Sequence, residues 1–76
     1  MDRVKFLTDQ NVQEIIAFIV EDNKIEYDEA LDIFYKSQTF EKLHDSETGL
    51  YRESAAYIYE LLKVELKTGK FFSTEQ

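Results

Sequence analysis

No proline occurs in the 76 residues, and glycine occurs only at positions 49 and 69. Proline and glycine are the strongest local breakers of regular structure: one lacks an N–H, and the other loses most backbone freedom on ordering. A chain so poor in breakers, with 43% hydrophobic residues, is built for long regular segments. Disorder would require low hydrophobicity.

The apolar period then selects helix. Val12, Ile15, Ile16 and Ile19 recur at i, i+3, i+4, i+7, which is one helix face. The run is rich in β-branched residues, but the helical period decides against a strand. A helix over about 9–22 follows, capped by Thr8 or Asp9. A polar turn through Lys24 leads to a second helix over about 27–36. Asp28 and Glu29 in its first turn suit the macrodipole, and Tyr27, Ala30, Leu31 and Phe34 form its inward stripe. Ser37 breaks and restarts the chain as the N-cap of a short helix over about 39–44, which offers Phe40 and Leu43 to the core. Asp45 to Gly49 is the clearest loop, with Gly49 free to take positive φ. Ser54 caps the last helix, over about 55–68, and Gly69 ends it. A short tail over 70–76 adds Phe71 and Phe72. The expected fold is one all-α domain, a small orthogonal bundle of three to four helices.

Size and charge narrow the function. The chain has no cysteine, so a disulfide or thiolate metal site cannot staple it. That argues for a cytoplasmic protein, as does the lack of an apolar run fit for a signal peptide. Ile15 to Val20 is the longest unbroken apolar stretch, against the ~20 residues of a membrane span. Nine Lys/Arg against sixteen Asp/Glu leave a net charge of −7, and no two basic residues are adjacent. Nucleic acids and anionic membranes attract basic patches, so neither is an expected partner. A basic protein is compatible with this charge.

Two features invite a site. Glu21, Asp22, Glu26, Asp28, Glu29 and Asp32 place six carboxylates in twelve residues. They read as a patch for a basic partner or as a solvated helix start. A calcium loop needs oxygen ligands at fixed positions and glycine at the sixth, a register missing here, so no metal is expected. The second feature is the last helix, where nine of the twelve residues from Ala55 to Leu66 are apolar or aromatic. One amphipathic face holds fewer. Tyr59 and Leu66, seven apart, are the expected outer stripe, with Tyr57, Phe71 and Phe72 as further interface candidates. His44 is the single histidine and lacks a recognisable nucleophile and orienting group. No cofactor motif is present, and phosphate-binding glycine loops are missing.

Glu29-Ala30-Leu31, Phe34-Tyr35, Ser37, Leu43, Asp45, Thr48-Gly49-Leu50, Ser54 and Tyr57 together resemble a family of short bacterial proteins of unknown function. Its members carry an EALxxFYxS … L.D..TGL…S..Y pattern and are often encoded beside toxin-like genes. The resemblance covers about residues 25–66 and implies an antitoxin-like or regulatory partner-binding role, with no functional residues to carry over. The expectation is a non-catalytic protein-interaction module that binds a cognate protein or itself as a homodimer. The alternative is a helix-turn-helix transcriptional regulator built on the second and third helices. Its recognition helix should start with basic residues, but Ser37 to Lys42 offers one lysine and one glutamate.

Overall fold

The computed structural model describes residues 2–69. Four α-helices follow one another: α1 (Arg3–Asn23), α2 (Tyr27–Tyr35), α3 (Gln38–His44) and α4 (Ala55–Thr68). Two 3-10 turns, Ser46–Thr48 and Leu50–Arg52, bridge α3 to α4. No strand occurs among the described residues. The all-α bundle expected from the apolar periods is the fold.

Helix α1 is the spine, touching each of the other helices. Its stripe of Ile15, Ile16 and Ile19 is buried, with Val12 partly so. The helix starts at Arg3, six residues before the expected Asp9. Asp2, not Thr8 or Asp9, is the cap: its Oδ1 accepts the Val4 and Lys5 N–H groups at 3.0 and 3.3 Å. An i,i+4 ion pair, Lys5 Nζ to Asp9 Oδ2 at 2.8 Å, supports the next turn. In these turns Val4 and Leu7 are only half-buried and the buried residue is the polar Thr8, so the apolar period is weak there and local polar contacts add support. Lys24 closes α1 in the left-handed region, φ 55°, and donates its N–H to Val20 O.

Helices α2 and α3 are shorter than the ~12 residues an isolated helix needs, so tertiary packing must hold them. Phe34 and Leu43 provide it, both fully buried against Ile15, Ile16, Ile19, Ile58 and Leu62. Each such side chain contributes roughly 1.5–3 kcal/mol. Tyr27, expected in the inward stripe of α2, is instead 56% exposed. Ala30 and Phe34 alone carry the fully buried face of this short helix. The α3–α4 connection is tied to α1 by the Asn11 amide, which donates to Tyr51 O and Glu53 O at 3.1 and 3.2 Å. Ser54 and Gly69 bound α4 as expected: Ser54 Oγ accepts the Tyr57 N–H, and Gly69 takes φ 81°.

Candidate functional site

Ala55, Ile58, Tyr59, Leu61, Leu62 and Glu65 are buried, an arc wider than the ~100° of a one-sided helix. The width follows from α4 packing against both α1 and α3. Excess apolar residues are thereby absorbed inside the chain. The expected outer stripe is corrected accordingly. Tyr59 is only 8% exposed, its ring against Phe18 with centroids 5.3 Å apart. Its hydroxyl donates to Asp22 Oδ2 at 2.6 Å, joining the two ends of α1 and α4 that meet there. Burial first, and then that hydrogen bond, hold the Tyr59 phenol well above its ordinary titration range. Leu66, on the same side, reaches 53% exposure in the last turn. Tyr57 is half-buried against the core. Phe71 and Phe72 lie outside the described residues.

Glu65 is a residue whose role the spacing did not disclose. It shares the inward face with Ile58, Leu61 and Leu62, yet it is a carboxylate, only 9% exposed. Its oxygens accept from Gln38 N at 2.7 Å, Thr39 N at 2.9 Å and Thr39 Oγ1 at 2.8 Å. Ser37 Oγ accepts the Phe40 N–H at 3.0 Å. The first-turn donors of α3 are thus all met, and its positive helix end faces a negative group. The only clue in the sequence is a glutamate in an inward register position.

The six carboxylates of residues 21–32 are all exposed, but four have local work. Asp22 receives the Tyr59 hydroxyl. Glu26 and Glu29 form a capping box at the start of α2, with Glu29 Oε1 accepting the Glu26 N–H at 3.2 Å. Asp32 pairs with Lys36 at 3.0 Å. Among the described residues, Glu21 and Asp28 take part in no side-chain cap or ion pair. Glu21 lines a shallow open groove of about 510 Å³ between α1 and α2, with Gln13, Ala17, Val20 and Tyr27. Beyond it, Tyr27, Leu31 and Tyr35 follow at i, i+4, i+8 along α2. The Tyr35 ring reaches Phe40 of α3 at 4.8 Å, and Phe40 stacks on His44 at 5.7 Å. A partly exposed aromatic band therefore crosses from α2 to α3.

His44 also borders a hollow of about 320 Å³ with Asp2, Lys5, Thr8, Asp9 and Ser46. Lys5 and Asp9 are paired there, and Asp2 is engaged as a cap. No group of His, Asp and Glu is arranged to hold a metal among the described residues. No protein-family model, no curated protein and no solved structure matches the chain. No described helix is long and apolar enough to cross a membrane.

Proposed function

We propose that this chain is a non-catalytic protein-interaction domain, an antitoxin-like or regulatory accessory protein that binds a cognate protein. The observation that carries this reading is the exposed face of α2. There Tyr27, 56% exposed, lines a groove with the Glu21 carboxylate, and Tyr35, 51% exposed, follows two turns further along the helix. Tyrosines are enriched at protein interfaces because they offer a large apolar body with a polar tip. Acidic residues around them favour a basic protein and disfavour nucleic acid.

The helix-turn-helix alternative gains little support from α3. That helix has seven residues, and its first turn, where bases would be read, meets the Glu65 carboxylate. Ser37 and Thr39 are buried.

The test is affinity purification from the native host, with mass spectrometry of co-eluting proteins and reconstitution of the pair from purified components. A stoichiometric complex with a single protein is the expected result. Recovery of the chain alone, or sub-micromolar binding to promoter DNA, would overturn the reading.

A further inference from the structure

Resting on that reading, we infer that the α1–α2 groove docks a cationic, amphipathic segment of the partner protein. The floor is apolar: Ala17 and Val20 of α1 and the ring of Tyr27 from α2. Gln13 and Glu21 complete the lining. A shallow apolar depression between two helices suits the apolar residues of one helix or extended segment.

Charge selects the occupant. Residues 21–32 hold six carboxylates against one amine, Lys24, a surplus of five negative charges out of the net seven of the chain. Glu21 stands in the groove lining, and Asp28 follows Tyr27 in the chain. Neither is spent on a cap, an ion pair or the Tyr59 hydroxyl. A lysine or arginine entering the groove would meet the Glu21 carboxylate and could lie on the face of the Tyr27 ring, an arrangement that attracts cations. A second copy of this chain would bring a like charge of −7 to the same place. Complementarity therefore points to a basic segment of another protein, whose apolar residues cover Ala17 and Val20.

The probe is a helical peptide with lysines on one face and leucines on the other, titrated into the full chain and followed by nitrogen-15 NMR. Its counterpart has glutamates in place of the lysines. The cationic peptide should bind, with shifts centred on Gln13, Ala17, Glu21 and Tyr27, and the anionic one should not. Tyr27→Ser should weaken binding about tenfold, as removal of an interface anchor does. The pair Glu21→Gln with Asp28→Asn should weaken it comparably. A control pair of equal charge, Glu41→Gln with Glu47→Gln, should change it by less than about twofold, as distant screened charges do. Circular dichroism and melting establish that each variant is folded. Equal loss from both charge pairs would mean diffuse attraction and overturn the inference. So would shifts centred on Val64 and Leu66, or no binding. A natural partner whose affinity ignores the groove variants would also overturn it, while leaving the protein-binding reading intact. Recovery of no partner at all would tell against that broader reading instead.

Discussion

Two residues sit in conformations or contacts that carry a measurable energy by themselves. Lys24 ends α1 at φ 55°, where its Cβ crowds the carbonyl. Glycine relieves that crowding at the expense of more backbone entropy in the unfolded chain. Lys24→Gly should therefore stabilise the protein by about 0.5–1 kcal/mol in urea denaturation. Tyr59 offers a second case. Tyr59→Phe keeps the ring on Phe18 and removes the bond to Asp22, so a loss of about 1–2 kcal/mol is expected at neutral pH. The sign with pH follows from the raised phenol. The folded state holds the proton more tightly than the unfolded chain, whose phenol titrates near 10. That stability is complete below this pH and is lost as pH rises above it. The advantage of the native protein over Tyr59→Phe should therefore shrink in alkali, measured as urea midpoints across the alkaline range. The heptad relation of Tyr59 to Leu66 was legible in the sequence; whether it pointed in or out was not. Only the placement of Phe18 and Asp22 settles that.

At the scale of elements, α3 depends on α4. Glu65→Ala would leave the Thr39 amide and hydroxyl buried without acceptors, each costing roughly 1–3 kcal/mol. A loss of about 3 kcal/mol is expected, a large share of the ~4–11 kcal/mol available to a chain of this size. Glu65→Gln keeps one oxygen acceptor and should recover at least half of that. Urea denaturation of both variants separates loss of the charge from loss of the acceptor. Equal destabilisation would show that the charge, not the acceptor, holds α3. Leu66 behaves oppositely. In the last turn of α4 and 53% exposed, Leu66→Glu should change stability by less than about 0.5 kcal/mol, read from the same urea midpoints. The bounds of α2, α3 and α4 were legible because caps and apolar period coincide at Ser37, Ser54 and Gly69. The first two turns of α1 were not, since their inward residues are the half-buried Val4 and Leu7 and the polar Thr8, with Asp2 and the Lys5–Asp9 pair adding support.

For the whole molecule, charge and burial set the expected behaviour. The net charge of −7 and the absence of a basic patch predict no specific duplex DNA binding. Fluorescence anisotropy at low and moderate salt checks this; salt-sensitive sub-micromolar binding to one sequence would contradict it. EDTA should leave the melting temperature unchanged, because four of the six carboxylates of the acidic segment serve a capping box, a lysine and a tyrosine, and no group among the described residues is arranged to hold a metal. A calcium- or magnesium-dependent rise would contradict that account.

The sequence by itself determined the helical class, the inward stripe of α1, the caps of α3 and α4, and the acidic character of the α1–α2 corner. Each of these is a local matter, set by spacing, capping chemistry or composition within one segment. Tertiary structure alone decided that α4 has two neighbours and so buries Tyr59, and that Glu65 serves a helix 26 and 27 residues away. It also decided that Tyr27 faces a groove rather than the core. All three depend on which surfaces meet, a non-local outcome that one helix period cannot encode.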